Sequence, residues 1–239
     1  MEIITKVLVG SRLHGLATPE SDYDYRGIHI QPLRDVLSPF KTLKNTNWIE
    51  GDVDNTSYEL ADFCKQATHG NATILEVFFS NQIVETTPIA DEMRMNWRKF
   101  IDTDKFVMAS RGYAHNQYNK MELFEDQGVK GNLRTAKFAV AYCRALWQCA
   151  EFLTTGEFKC QLEEPMKSFL FDVKTNYKSA MVPYLTEMFM TLQGDVTKAW
   201  KHAEKLTPDI AWIEDFILAS YSEVTHLRRA AGALPRSGR

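Results

Sequence analysis

The chain has 239 residues and a formal net charge of −3 at pH 7; 44% of its residues are hydrophobic and 25% are charged. This composition is typical of a globular protein, and the length suffices for one large domain or two small ones. The mildly acidic balance, with a pI of about 6.1, excludes an overall positive field for nucleic acid but not a local basic groove. The sequence shows neither a signal peptide nor a run of ~20 apolar residues, so we expect a soluble, cytoplasmic protein without a membrane partner.

The cysteine pattern argues against a zinc site. Cys64, Cys143, Cys149 and Cys160 lack the C-x2-C spacing of a zinc site, and each lies in an apolar helical pattern. We therefore expect four reduced cysteines in the core of a cytosolic protein.

The first half of the chain has the pattern of a mixed α/β structure. A short β-branched run over residues 5–9 ends at Gly10 and predicts a buried strand that leads into a tight turn. A loop is predicted over residues 12–21. Further strands are predicted over 22–30 and 53–58, followed by helices over 59–69 and 72–79.

After about residue 88 the strand signals give way to helical ones. Helices are predicted, in chain order, over residues 89–100, 104–126, 133–155, 165–172, 180–193, 195–205 and 209–230. The tail over residues 232–239 is rich in Gly, Pro and Arg and is expected to fray. The pattern therefore predicts an α/β half followed by a helical half.

Two carboxylates at the start of the second predicted strand indicate the chemistry. Asp22 and Asp24 stand two residues apart, so on a strand they project from the same face. Carboxylates this close repel each other unless a cation lies between them, and a hard divalent ion such as Mg²⁺ meets that demand. Two such ions about 4 Å apart can activate an attacking oxygen and stabilise a leaving one in phosphoryl chemistry.

Gly10 and Ser11 follow the first predicted strand, where a turn can direct backbone N–H groups at an anion. Glycine allows phosphate to approach the backbone closely, and the Ser11 hydroxyl adds a donor at the same place. A phosphate-binding turn and a carboxylate pair twelve residues apart are the two halves of a nucleotidyl-transfer site.

The run from Gly10 to Gly27 reads Gly-Ser-x3-Gly-x5-Ser-Asp-x-Asp-x-Arg-Gly. Gly-Ser followed after ten residues by Asp-x-Asp resembles the signature of the DNA-polymerase-β-type nucleotidyltransferase superfamily. The fuller run is similar to a branch of predicted bacterial and phage nucleotidyltransferases. The resemblance, from about residue 7 to residue 156, implies an α+β fold. Its small mixed β-sheet domain would span residues 1–95, and an all-helical domain over residues 96–239 would close over the nucleotide.

The resemblance also implies roles for individual residues. Gly10 and Ser11 would hold the β- and γ-phosphates, and Asp22 and Asp24 would bind metal. The segment Asp54-Asn55-Thr56-Ser57-Tyr58-Glu59 resembles the one that supplies a third carboxylate, which would complete the metal site and help to deprotonate the acceptor. That role falls on Asp54, with Glu50 and Asp52 as substitutes; the alternative for Asp54 is a surface turn.

The remaining nucleotide-binding candidates surround these residues. Arg12, Gly15 and Ser21 belong to the same run, although Arg12 is also compatible with an ordinary surface cation. Gly70-Asn71 resembles a further family segment, with Ala72 in place of its proline. Asn71 is equally well explained as a helix N-cap.

The helix predicted around residues 134–153 carries a narrow polar stripe of Lys137, Arg144, Gln148 and Glu151 on an otherwise apolar surface. Such a stripe either faces solvent or lines a cleft. In a cleft, Lys137 and Arg144 would reach triphosphate oxygens from the helical half.

Together these features predict a transferase that moves NMP from an NTP, with ATP favoured, and releases pyrophosphate with the help of two Mg²⁺ ions or Mn²⁺. An RNA end, a protein hydroxyl and a small molecule all remain open as acceptor, and the oligomeric state is open too. Two alternatives stand beside this prediction: a glycosyltransferase that binds metal through Asp-x-Asp, and a non-catalytic or antitoxin-like partner protein.

Overall fold

The computed structural model describes residues 1–41, 45–50, 53–125 and 132–230. Within these ranges five strands form one mixed sheet in the order β3-β4-β2-β1-β5. Strands β2 and β4 are parallel, and the other neighbouring pairs are antiparallel. The strands are β1 (Glu2–Val9), β2 (Tyr23–Ile30), β3 (Thr46–Glu50), β4 (Val53–Glu59) and β5 (Ile83–Thr86).

Helices occupy most of the remaining described chain, in agreement with the predicted α+β fold. Two 3₁₀ turns, Trp97–Phe100 and Ser179–Met181, interrupt the helical series. The helices are α1 (Gly10–Leu13), α2 (Leu33–Val36), α3 (Leu60–Thr68), α4 (Ala72–Phe79), α5 (Pro88–Met95), α6 (Thr103–Glu125), α7 (Asn132–Thr155), α8 (Met166–Asn176), α9 (Val182–His202) and α10 (Ile210–Ala230).

The strand register gathers the candidate residues at one end of the sheet. Val9 at the end of β1 is opposite Asp24 in β2, and Asp24 is opposite Asp54 in the parallel strand β4. The Gly10-Ser11 turn after β1 is therefore beside the starts of β2 and β4. Strand β2 begins at the surface with Tyr23 and ends in the core with Ile30.

The sequence pattern missed some elements for identifiable reasons. Strands β3 and β5 are short edge strands whose sequences show no clear alternation of apolar and polar residues. They are extended because β3 pairs with β4 and β5 pairs with β1. Helix α1 covers the predicted tight turn at Gly10 and extends to Leu13, into the start of the predicted loop. The helices predicted over 180–193 and 195–205 are one helix, α9, whose buried face continues from Leu192 to Val196 across Gly194.

The buried side chains form one apolar cluster that continues from the sheet into the helices. Helix α3 buries Leu60, Phe63, Cys64 and Ala67, the face that its periodicity predicted. Helix α10 returns to the α/β half, where Tyr221 donates to Glu59 at the end of β4, and its Trp212 and Phe216 contact the ring of Phe100 just after α5. The division into domains at residues 95 and 96 stays a prediction.

Two further expectations concern cysteines and membranes. All four cysteines are buried and free, as predicted, but Cys160 lies between α7 and α8 rather than in a helix. Among the described residues, no helix is both long and apolar enough to cross a membrane. The predicted frayed tail lies outside the described residues.

A glycine between two helices offers a test of the packing. Gly70 joins α3 to α4 with φ at 73°, and a Cβ there would overlap backbone atoms of Phe106 in α6. We expect Gly70→Ala to lower the free energy of unfolding by at least about 2 kcal/mol, measured by urea denaturation.

The matched control is Gly194→Ala. Gly194 lies inside α9 with open space around its Cα, so alanine should raise the free energy of unfolding by about 0.5–1 kcal/mol. Effects of the same sign and size at Gly70 and Gly194 would contradict the close approach of α6 to the turn.

Candidate active site

Three carboxylates lie together at the end of the sheet where β2 and β4 begin. Asp22 and Asp54 are exposed, and Asp24 is partly buried between them. Burial raises the pKa of Asp24, and the nearby charges of Asp54 and Asp22 raise it further, against the opposing effect of Arg26. The predicted carboxylate cluster is thus a site of concentrated negative charge.

The turn at Gly10 and Ser11, predicted to bind phosphate, is in direct contact with this cluster. Gly10 has φ at 69°, and the Asp24 carboxylate fills the space that a Cβ at residue 10 would occupy. Only glycine therefore combines this backbone conformation with the close approach of Asp24. The one-turn helix α1 carries Ser11 immediately after this contact.

The donor set fits a hard divalent cation, because it consists of carboxylate oxygens and concentrates like charge that a cation would neutralise. Within the described residues, no group of three or more His, Cys, Asp or Glu side chains is close enough to hold an ion as it stands. Repulsion between the carboxylates, which adds to the effect of burial in raising the pKa of Asp24, disfavours their closer approach unless a cation is bound. Of the substitutes, Asp52 and the side chain of Glu50 lie outside the described part of the chain.

Arg12 holds the segment that leads into the carboxylate pair. It donates from Nη2 to the carbonyl of Ser21 at 2.7 Å and from Nε to that of Asp22 at 3.2 Å. Its guanidinium lies 3.7 Å from the centre of the Tyr23 ring. The Oγ of Ser21 accepts from the backbone N–H of Thr18 at 2.9 Å, which closes the loop.

A lysine that the sequence pattern did not single out lies beside this loop. Lys174 of α8 donates from Nζ to the carbonyl of Leu16 at 2.6 Å and to Ser21 Oγ at 3.2 Å. Burial lowers the pKa of Lys174, as do the neighbouring charges of Lys137 and Arg12, whereas Asp24 raises it. Lys174 lies beyond residue 156, where no motif was recognised, so only tertiary contact reveals it.

These cations form a positive cluster opposite the carboxylates. In the described part of the chain, no ion pair joins Arg12, Lys137 or Lys174 to a carboxylate. A second lysine of α8, Lys167, is adjacent, because its Cε lies 3.2 Å from the position that a Cβ on residue 15 would occupy. The arrangement provides unneutralised positive charge next to the loop that follows α1.

Arg144, the other cation predicted to reach phosphate, has an internal partner. Its Nη1 donates to Glu76 Oε1 at 3.1 Å and to Gln148 Oε1 at 2.8 Å. Glu76 also binds Arg26, and His14 Nε2 lies 3.3 Å from its Oε1. The predicted role of Arg144 on triphosphate stays a prediction.

The charge state of this cluster follows from its contacts. Burial alone would raise the pKa of Glu76, but His14, Arg26 and Arg144 outweigh it and hold the pKa below its ordinary value. Burial and the charge of Arg144 lower the pKa of His14, against the effect of Glu76. Glu76 is therefore an ionised carboxylate, only 3% exposed, between two guanidinium groups.

The remaining predicted residues have clear structural partners. Asn71 caps α4, because its Oδ1 accepts from the backbone N–H of Thr73 at 3.1 Å. Gln148 is buried and donates to the carbonyl of Lys159 at 2.9 Å, and Glu151 pairs with Lys159. The polar stripe of α7 thus faces other parts of the protein over most of its length, with Lys137 exposed at its start.

Comparison with known proteins gives several relatives. An uncharacterised protein of Methanocaldococcus jannaschii is 26% identical over 213 residues, covering 80% of this chain and 84% of the relative. An uncharacterised 38.9 kDa protein in the nrdC-mobD intergenic region of Enterobacteria phage T4 is 29% identical over 144 residues, or 55% of this chain and 40% of its own. The crystal structure of a nucleotidyltransferase-like protein from Exiguobacterium sibiricum matches 84% of this chain and 69% of its own, with 12% identity and a TM-score of 0.30.

A protein-family match spans more of the chain than the local motifs do. Residues 1–228 match the RlaP family, described as the RNA repair pathway DNA polymerase beta family. The matched range includes the Gly-Ser turn, the three carboxylates and α8 with Lys174, beyond the point where the motif resemblance ends. The chain belongs to the RlaP family of DNA-polymerase-β-type nucleotidyltransferases.

Proposed function

We propose that the protein transfers NMP from an NTP, with ATP favoured, to an acceptor hydroxyl and releases pyrophosphate. The observation that carries this proposal is the meeting of Asp22, Asp24 and Asp54 with the Gly10 turn at one end of the sheet. The family's description as an RNA repair pathway family supports an RNA end as the acceptor. Family membership favours this function over the glycosyltransferase alternative.

The residues divide the work by position. A divalent cation held by the three aspartates would supply the positive charge that lets phosphate oxygens approach them. Gly10 and Ser11 bind the polyphosphate at the end of β1, and Lys137 and Lys174 contact it from the helical half. Arg26 limits the negative charge around Asp24 from two residues further along β2.

The bond changes follow from this placement. The acceptor oxygen bonds to the α-phosphorus, and the bond from that phosphorus to the bridging oxygen breaks, so that pyrophosphate leaves. Asp54, exposed on the strand beside Asp24, takes the proton of the acceptor hydroxyl. Lys137 and Lys174 stabilise the charge that develops on the leaving pyrophosphate.

Substitution of the carboxylate pair tests the proposed transfer activity. Asp22→Asn and Asp24→Asn should lower transfer from α-labelled NTP to RNA at least ~100-fold at saturating Mg²⁺, because each removes a charge that holds the cation. The exposed Asp215→Asn of α10 is the matched control and should keep wild-type activity. Wild-type rates in either active-site variant would contradict the proposal, and an inactive wild type would favour the non-catalytic alternative.

Stability in EDTA gives an independent measurement on Asp24. Because the folded state raises the pKa of Asp24, it binds that proton more tightly than the unfolded chain does, so ionisation costs stability. The melting temperature of Asp24→Asn should exceed that of the wild type by an amount that grows as pH rises above about 4 and then levels off. A difference that shrinks with rising pH would contradict this account.

Binding of the nucleotide should also raise the stability of the folded protein. ATP with Mg²⁺ at a hundred times its dissociation constant should stabilise the protein by about 2.7 kcal/mol, seen as a higher melting temperature. EDTA should abolish the effect, and Ser11→Ala should reduce it. Equal shifts with and without divalent metal would place ATP elsewhere.

Substitution of Lys137 and Lys174 tests whether these cations of the helical half bind the polyphosphate. Lys137→Met and Lys174→Met should each weaken ATP binding at least ~10-fold in calorimetry without loss of fold, since methionine keeps the stem and removes the charge. Lys201→Met, at an exposed position of α9, is the control and should leave affinity unchanged. Unchanged affinity in the double variant would remove both lysines from the polyphosphate site.

Arg144→Met should behave differently from the two lysine variants. It leaves the buried carboxylate of Glu76 without one of its partners, so we expect a loss of about 3–5 kcal/mol in the free energy of unfolding. A variant with wild-type stability would show that Arg144 is not held by Glu76 in solution.

A further inference from the structure

A cleft of about 260 Å³ opens between the turn from α3 to α4 and the helices α6 and α7. It is separate from the three carboxylates, and the transfer mechanism above assigns it no part. Its lining mixes the ring of Tyr113 with the imidazole of His69, further polar groups and small side chains. The lining also includes Asn71, Thr73, Glu76, Ala109 and Arg144.

Tyr113 presents an uncovered ring to this cleft. It is 40% exposed, and within the described residues it has neither a ring contact nor a hydrogen bond. Ala109, one helical turn earlier on the same face of α6, is too small to cover the ring. An exposed aromatic face beside small residues is a stacking platform, and every nucleobase has a π-face to place on it.

The polar groups of the cleft leave hydrogen-bonding capacity in the same place. Arg144 uses Nη1 for Glu76 and Gln148, so its Nη2 and Nε remain as donors. The hydroxyl of Thr73 makes no hydrogen bond within the described residues. These groups suit the ribose hydroxyls and base edge of a nucleoside.

The cleft is close to the reaction centre. Arg26 follows Asp24 by two residues on the same face of β2, a step of about 6.6 Å. Arg26 itself donates to the carbonyl of Thr73 at 3.0 Å and contacts Glu76, both of which line the cleft. The cleft therefore begins about one nucleoside away from the catalytic carboxylates.

Helix α7 fixes the direction of the bound molecule. Lys137, whose charge acts on Lys174 at the loop after α1, and Arg144, at the cleft, are seven residues apart, which is about 10.5 Å along one helix face. A nucleoside triphosphate lying along α7 would span both residues. The acceptor, by contrast, approaches Asp54 on β4.

We infer that this cleft binds the nucleoside of the donor NTP, with its base stacked on Tyr113 and its polar edge facing Arg144 and Thr73. This inference rests on the proposed transferase function. The volume is just below the 300–1,000 Å³ or so of typical small-molecule sites, which suits one nucleoside rather than a longer nucleic-acid segment. The base thus contributes binding energy that the polyphosphate alone lacks.

Calorimetric titration of the full chain with Mg²⁺ and two probes, ATP and base-free tripolyphosphate, tests the assignment. Tyr113→Ala should weaken ATP binding at least ~10-fold and leave tripolyphosphate binding unchanged, whereas Tyr113→Phe should keep both. Ala109→Leu, which covers the ring from the neighbouring turn, should act like Tyr113→Ala. Tyr184→Ala, the same change at a half-exposed tyrosine of α9, is the control and should keep both affinities.

The outcomes distinguish this inference from the proposed function. Equal ATP affinity in the wild type and Tyr113→Ala would overturn the cleft assignment but not the proposed function. A wild type that binds ATP and tripolyphosphate equally tightly would do the same. Unchanged ATP affinity with impaired transfer to RNA would assign the cleft to the acceptor instead. A wild type that binds neither probe overturns the transferase proposal and the cleft assignment together.

Discussion

The buried carboxylate of Glu76 connects the parts of this protein that have to act together. It is 3% exposed and meets Arg26 of β2, Arg144 of α7 and His14, the residue that follows α1. A buried charge without partners is costly, so each contact stabilises the position of the element that supplies it. Strand β2 and helix α7 are thereby held in one relative orientation.

That orientation sets the electrostatics of the active site. Carboxylates gather at the end of the sheet, while Lys137 and Lys174 bring positive charge from α7 and α8 to the same loop. Arg12 adds positive charge from the first half, whereas the two lysines belong to the second half and reach this region only because the helices pack against the α/β half. An anionic ligand with a cation can lie between the carboxylates and these cations.

Short-range sequence patterns predicted the features that depend on short-range structure. The strand before Gly10, the placement of Asp24 on β2, and the buried face of α3 all follow from short-range pattern and were confirmed. Asp22, which was predicted on the same strand, directly precedes β2, because the strand begins at Tyr23. Asp54 could be placed beside them only through the family resemblance. The parallel pairing of β2 with β4 then brought Asp54 opposite Asp24.

What the sequence did not predict depends on tertiary contact. Lys174 lies on an ordinary amphipathic helix, and its pattern contains no sign that its amine reaches the loop before Asp22. Arg144 was placed on the correct stripe, but its partner Glu76 lies 68 residues earlier in the chain. Edge strands such as β5 are defined by a neighbour rather than by their own four residues.

The return of α10 to the α/β half has a consequence for how the protein is made. Trp212 and Phe216 complete the apolar surroundings of Phe100, and Tyr221 hydrogen-bonds to Glu59 at the end of β4. During synthesis, the sheet that carries the three aspartates emerges from the ribosome long before these partners do. The nascent first half therefore lacks part of its packing until α10 has been translated.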